Sequence, residues 1–222
     1  MTSPLDTPAA QHLASTDPDW ATLIALVGPC VLDAGDKERS TREPYEALVR
    51  SIAYQQLHGK AAETILGRFL ARFPDIPFPS PAQVLACDVA DMRACGFSAS
   101  KVAAIREIAD KTLAGVVPTR AEAITLSDEE LIARITTLRG VGRWTVEMLL
   151  IFTLGRADVL PVDDFGVREG WRAIKGLPQQ LKPKEMALLG ERWAPYRSTA
   201  AWYLWRAADL YKAHLRALNR SM

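Results

Sequence analysis

Apolar residues return at helical spacing along most of this chain. Tyr45, Leu48, Val49 and Ile52 form one such set, Ala62, Ile65, Leu66 and Phe69 a second, and Val102, Ile105, Ile108 and Ala109 a third. Each gives a helix one apolar stripe for a core and a polar face for water. The alternation that marks a half-buried strand is absent. Start signals agree. Asp17-Pro18 opens a helix running to about Val27. Ser80-Pro81-Ala82-Gln83 and Ser127-Asp128-Glu129-Glu130 each place Gln or Glu three residues after a serine, the capping-box pattern. Val146 to Leu154 reads as a buried helix closed by Gly155. Leu160-Pro161-Val162 then leads into Asp163-Asp164, where another helix begins. The expected fold is all-α.

The organisation follows from where these signals thin out. Residues 1–16, proline-bearing and polar, are expected to form a loose tail, with the folded core occupying 17–222. Phe73 to Pro81 (FPDIPFPSP) is turn-rich and is expected to bound a middle helical lobe at about 74–153, the second lobe coming from the N-terminal and C-terminal helices. There is no internal repeat and no low-complexity stretch. A chain of 222 residues can bury a substantial core. No run is apolar enough to span a bilayer and the N-terminus has no secretory pattern, so a cytoplasmic, nucleoid-associated protein is expected, with no membrane partner.

Composition narrows the chemistry. Cys30, Cys87 and Cys95 lack metal-ligand spacing and His12, His58 and His214 lie far apart, so reduced structural thiols and no side-chain metal site are expected. The net charge of +1 says nothing for nucleic acid. Its distribution says more: residues 1–50 hold 4 basic and 8 acidic side chains, whereas residues 151–222 hold 12 and 7. The C-terminal third is the better side for phosphates, although most of these charges serve simply as a solvated helical surface.

The most informative stretch runs from Leu138 to Gly166, LRGVGRWTVEMLLIFTLGRADVLPVDDFG. Gly140 and Gly142 suit a tight turn between helices, which together with Arg143, Trp144 and Thr145 at the next helix start would offer donors to a phosphate. Such a turn is more often only a connection. Asp163-Asp164 one helix later could likewise be no more than an N-cap. One aspartate suffices for capping, and a second at the positive end of a helix dipole is available to face a developing positive charge.

Hairpin, helix and acidic residue together resemble the helix-hairpin-helix DNA glycosylase superfamily, and within it the alkyladenine branch, that of 3-methyladenine DNA glycosylase II. GVGRWT, LPVDDFG and ERWAPYRSTAAWYLW match that branch in order and spacing, and the resemblance covers roughly Tyr45 to Tyr211. It implies two helical lobes flanking a cleft, with hairpin and catalytic aspartate at its mouth. It also implies a compact, core-only member without the N-terminal β-domain that the branch often carries. Nothing matches the four-cysteine iron–sulfur cluster of some superfamily members.

The resemblance makes Asp164 the catalytic residue, counted from Trp144 and its DDFG context, with Asp163 a structural neighbour. The carboxylate would stabilise an oxocarbenium-like sugar. An alkylated purine such as 3-methyladenine or 7-methylguanine is already cationic and leaves without a general acid. Members that also cleave the strand carry a lysine where this chain has Trp144, and no lysine lies between Lys111 and Lys175. A monofunctional enzyme acting on double-stranded DNA is implied, and a monomer is the default expectation.

Trp144 and Trp205 would wall a pocket for the flipped base, with Phe165 and Trp202 as weaker candidates and Met148 replacing a family tyrosine. For Trp202, and for Tyr203 beside it, packing into an apolar helix is the better expectation. Ser51 to Ile65 resembles the family's interrupted helix, which puts Gln56 at the wedge position with Leu57 and His58 beside it. The residues alone read as a helix kinked at Gly59. The family's hairpin also suggests a sodium or potassium ion on backbone carbonyls, here those of Leu138 and Val141; no other cofactor is expected. Two alternatives stand beside this reading. One is a glycosylase for another lesion class, and the other a non-catalytic binder of damaged DNA.

Overall fold

The computed structural model describes residues 3–34 and 41–221, and the first two residues of the expected tail lie outside them. Among the described residues every regular element is a helix: α1 (Pro8–Thr16), α2 (Pro18–Val27), the single turn α3 (Val31–Ala34), α4 (Pro44–Tyr54) and α5 (Gly59–Leu70). Then come α6 (Pro81–Ala86), α7 (Val89–Ala94), α8 (Ala99–Leu113), α9 (Arg120–Thr125), α10 (Asp128–Ile135) and α11 (Arg143–Phe152). The chain ends with α12 (Phe165–Lys175), α13 (Pro183–Gly190), a 3-10 turn (Glu191–Trp193) and α14 (Arg197–Ser221). They fall into two units, one formed by Met1–Lys37 with Gly155–Met222, the other by Glu38–Leu154.

The continuous unit is built around α8, whose Val102, Ala104, Ile105, Ile108 and Ala109 are buried. Its neighbours include α4 and α6. Phe69 of α5 meets the rings of Phe73 and Phe97 edge-on at 5.5 and 5.6 Å. The unit begins at Glu38, not near residue 74 as expected, and the reason lies in the connector. Phe78 packs edge-on against Tyr45 at 5.9 Å and takes the Arg50 guanidinium over its ring at 5.1 Å. FPDIPFPSP therefore fastens to α4 instead of separating α4 from the rest. Both expected capping boxes form, at Ser80 with Gln83 and at Ser127 with Glu130.

The discontinuous unit corrects the expectation of a loose tail. Thr7 caps α1 by accepting the Ala10 N–H at 3.2 Å, and Ala9, Ala10 and Leu13 are buried. The apolar face is small because two of its three residues are alanines, too faint a stripe beside the prolines. In the core, the Trp193 ring lies 5.2 Å from both Trp20 and Trp171, three tryptophans drawn from α2, α12 and the 3-10 turn. Lys175, in the last turn of α12, reaches Asp17 and Asp19 at the start of α2, at 2.6 Å each. That ties the helices at their charged ends.

Contact between α12 and α14 rests on Gly170. A Cβ there would sit 2.0 Å from the Leu204 carbonyl oxygen, a backbone atom that cannot swing aside. Gly170→Ala is therefore expected to lower stability by about 3 kcal/mol or more, at the upper end of overpacking costs, read by denaturant unfolding of the purified variant. A loss below about 0.5 kcal/mol, the range of an ordinary surface change, would contradict this packing.

Candidate active site

In the continuous unit, the hairpin occupies Leu138 to Gly142 between α10 and α11. Leu138 and Val141 are buried and anchor it, and Val141 N–H closes the turn on the Leu138 carbonyl at 3.2 Å. The two glycines differ in role. Gly140 has φ +75°, a left-handed conformation, with Ile52 Cδ1 and Ala104 Cβ under it at 3.4 and 3.7 Å. Gly142 has φ −92°, ψ 171° and caps α11 without a side chain, and a Cβ there would meet nothing within 4 Å. The first glycine makes the turn possible. The second leaves the helix start uncovered, a geometry that suits an anion.

One expected phosphate donor is corrected. Thr145 is buried, and its N–H goes to the Gly142 carbonyl at 3.0 Å. The Arg143 guanidinium is held by Glu129 at 2.6 Å and by Glu147 at 3.1 Å. Glu147 is 4% exposed, and a carboxylate that deep needs its cation. Arg143 thus secures α11 to α10, and its own charge is already balanced by two carboxylates. The Glu129 bond heads the causes that raise its pKa above the ordinary arginine value, and the same bond lowers that of Glu129.

The expected wedge segment is interrupted, and the break falls at Gln55–His58, not at Gly59. Helix α4 stops at Tyr54, α5 starts at Gly59, and Gln56 has φ +57°, the one non-glycine residue with positive φ among those described. A left-handed glutamine costs on the order of 1 kcal/mol and persists only where its surroundings impose it. Here Gln55 Nε2 donates to the Gly140 carbonyl at 3.0 Å, tying the loop to the hairpin. Lys101 Nζ donates to the Ala53 and Gln55 carbonyls at 2.8 Å each. Gln56, Leu57 and His58 are all exposed.

Beside this loop lies a cavity of about 320 Å³ lined by Ser51, Tyr54, Gln55, Gln56 and Trp144. Trp144 and Tyr54 are each 42% exposed, large rings left facing solvent. Tyr54 and Ser51 escaped the sequence reading. The available signal was Tyr54's place off the stripe of Tyr45, Leu48, Val49 and Ile52, where an aromatic has no core to fill. Met148 follows Trp144 by one helical turn and is partly exposed.

In the other unit, the turn Pro161–Asp164 closes with Asp164 N–H on the Pro161 carbonyl at 3.0 Å, and Asp164 caps α12. Its Oδ1 accepts the Val167 N–H at 2.8 Å and the Trp205 indole N–H at 2.9 Å. Asp163 is exposed. Capping and the candidate catalytic role therefore do not fall on separate aspartates, because Asp164 itself is the cap. Trp205, expected as a pocket wall, is a hydrogen-bond donor to that carboxylate. Gly166 permits the approach, since a Cβ there would lie 2.8 Å from Trp205 Cδ1 and 3.1 Å from Asp164 Oδ1. Trp202 belongs to the core at 8% exposure, edge-on to Tyr203. Phe165 is 68% exposed at the first position of α12. Upstream, Arg197 grips Asp158 at 2.7 and 2.8 Å and Ser198 Oγ takes the Val159 N–H at 3.0 Å, fixing the segment leading to Asp164 onto α14.

The family model described as "HhH-GPD superfamily base excision DNA repair protein" matches residues 49–195, from α4 through the hairpin and Asp164 to the 3-10 turn. The chain belongs to the HhH-GPD superfamily. It is 46% identical over 206 residues to DNA-3-methyladenine glycosylase 1 of Schizosaccharomyces pombe, covering 92% of this chain and 88% of that protein. It is 36% identical to the alkylbase DNA glycosidase-like protein mag2 of the same organism, covering 92% and 94%. Among solved structures it is similar to a 3-methyladenine DNA glycosylase of Schizosaccharomyces pombe in complex with abasic DNA. That match has a TM-score of 0.80 and 44% identity, and covers 90% of this chain and 96% of the other.

Substitutions at the two glycines of this HhH-GPD hairpin are expected to separate folding from binding. Gly140→Ala must hold alanine at positive φ and is expected to cost about 1–2 kcal/mol, measured by thermal or chemical unfolding. Gly142→Ala should cost under about 1 kcal/mol as a poorer cap yet weaken duplex binding in a titration, because its methyl obstructs the helix start. Equal stability losses with unchanged binding in both would contradict these roles.

Proposed function

We propose that this HhH-GPD protein is a monofunctional DNA glycosylase of base excision repair. It flips an alkylated purine, such as 3-methyladenine or 7-methylguanine, out of double-stranded DNA and hydrolyses its N-glycosidic bond to leave an abasic site. The observation that carries this reading is Asp164, whose Oδ1 is pinned by Val167 N–H and the Trp205 indole. As the bond to a cationic base breaks, positive charge passes to the sugar. A fixed carboxylate stabilises it with little reorganisation. The base departs neutral and takes no proton, so no general acid is required.

The other parts have corresponding roles. The bare N-terminus of α11 suits a backbone phosphate, the Gln56 loop suits insertion into the gap left by the flipped base, and the exposed Trp144 ring suits stacking on a cationic purine. The absence of any lysine between Lys111 and Lys175 leaves that stretch without an amine for a Schiff base, so strand scission should not follow. The relatives' names and the abasic DNA bound by one of them support the same reaction. No helix among the described residues is long and apolar enough to cross a membrane. We place the protein with the nucleoid in the cytoplasm, acting as a monomer. We also place a sodium or potassium ion against the hairpin carbonyls of Leu138 and Val141, where it would face a phosphate. The Leu138 oxygen already accepts one N–H and retains a second lone pair.

Asp164→Asn is the informative substitution, because asparagine caps a helix about as well as aspartate. Base release from a defined lesion is expected to fall by at least about 100-fold, the scale of losing one fixed electrostatic stabiliser, with duplex binding equal or tighter once a negative charge is gone. Undiminished release would refute the catalytic role of Asp164.

A further inference from the structure

The loop that carries Gln56 is held from beneath by a residue that the family motifs do not single out. We propose that Lys101 is a positioning residue for base extrusion, its ammonium group setting the left-handed turn that presents Gln56 and Leu57. The proposal rests on the reading of that loop as the wedge.

The accounting of hydrogen bonds supports it. A helix ends with carbonyls that lack partners, and α4 ends at Tyr54 directly before the turn. Ser51 O receives the Gln55 N–H and Tyr54 O the Leu57 N–H. The Ala53 and Gln55 carbonyls instead converge on Lys101 Nζ at 2.8 Å each. One cation thereby closes both the helix end and the first loop peptide. Charge favours this arrangement, because the C-terminus of α4 carries the negative end of its dipole. The lysine comes from the first turn of α8, which buries Val102, Ala104, Ile105, Ile108 and Ala109, and Ser98 caps that turn by accepting the Lys101 N–H at 3.2 Å. Among the described residues no carboxylate pairs with the ammonium, and burial pulls its pKa below the ordinary lysine value. Its partners are thus backbone carbonyls of the very turn that makes Gln56 left-handed.

A second tie completes the device. Gln55 donates to Gly140 of the hairpin, so the loop is joined to both α8 and the phosphate-facing turn. Without Lys101, the two carbonyls would turn to water and Gln56 would relax toward the commoner negative φ. The wedge would remain in the sequence and lose its aim.

The test uses the full chain and two duplexes. In one the lesion is paired, and in the other it sits in a single-nucleotide bulge, where extrusion is already easy. Extrusion is read by stopped-flow fluorescence of a 2-aminopurine beside the lesion, and release by single-turnover kinetics. Lys101→Met, which keeps the apolar stem, is expected to slow both on the paired duplex by about tenfold or more and on the bulge by less than about twofold, since unpairing is the costly part only in the first. Lys101→Arg, which restores two donors, should return extrusion to within about threefold of wild type.

The ratio between the two duplexes cancels a general loss of folded enzyme. Equal losses on both duplexes, or none on either, would overturn the proposal. So would a Lys101→Arg variant that folds and extrudes as poorly as Lys101→Met. Extrusion by the wild type without release of any base would refute the glycosylase reading, and the fluorescence contrast would still decide the role of Lys101.

Discussion

A carboxylate helps a cationic transition state only if it stays where the charge develops, and in the proposed mechanism the indole N–H of Trp205 on Asp164 Oδ1 secures that. The bond spans two helices, so it exists only because α12 and α14 lie unusually close. Two glycines allow this. Gly170 admits the Leu204 backbone and Gly166 admits the Trp205 ring; a methyl at the first would drive the helices apart, and one at the second would push the indole off Asp164. Val167 N–H then makes the same oxygen a helix cap, so the fold's requirement for a capped α12 and the chemistry's requirement for a fixed charge fall on one atom. A proposed catalytic residue that is also a cap resists movement for reasons of stability as well.

The same economy governs the continuous unit. Its hairpin and its interrupted helix are neighbours in space through Gln55 and Gly140, though 85 residues apart in sequence. The buried Glu147 takes the exposed Arg143 as its counter-ion, and on the proposed reading the backbone donors beside it meet a phosphate. Such donors hold a duplex irrespective of sequence, as suits an enzyme that must inspect any site.

Much of this was legible in the residues. Helical periodicity gave the class, the Ser80 and Ser127 boxes gave helix starts, and the spacing of GVGRWT and LPVDDFG brought out hairpin and aspartate. What stayed hidden was long-range. Nothing near Trp205 says that its indole will meet Asp164, 41 residues earlier, and nothing near Lys101 says that it will cap a helix ending at Tyr54. FPDIPFPSP carries every turn signal and so suggests a boundary near residue 74, while the packing of Phe78 on Tyr45, which joins it to α4, is a tertiary fact. Proximity to the glycines suggests Thr145 as a phosphate donor, but helical phase buries it.

The central claim is that this fold hydrolyses the glycosidic bond of an alkylated purine without forming a covalent link to DNA. The direct measurement incubates wild-type protein with a duplex carrying one 7-methylguanine, with and without borohydride, and follows both the freed base and the strand. The account predicts free base, a strand that breaks only after alkali, and no trapped protein–DNA adduct. Scission before alkali with a borohydride-trapped adduct, or an intact lesion under conditions where the duplex is bound, would contradict it.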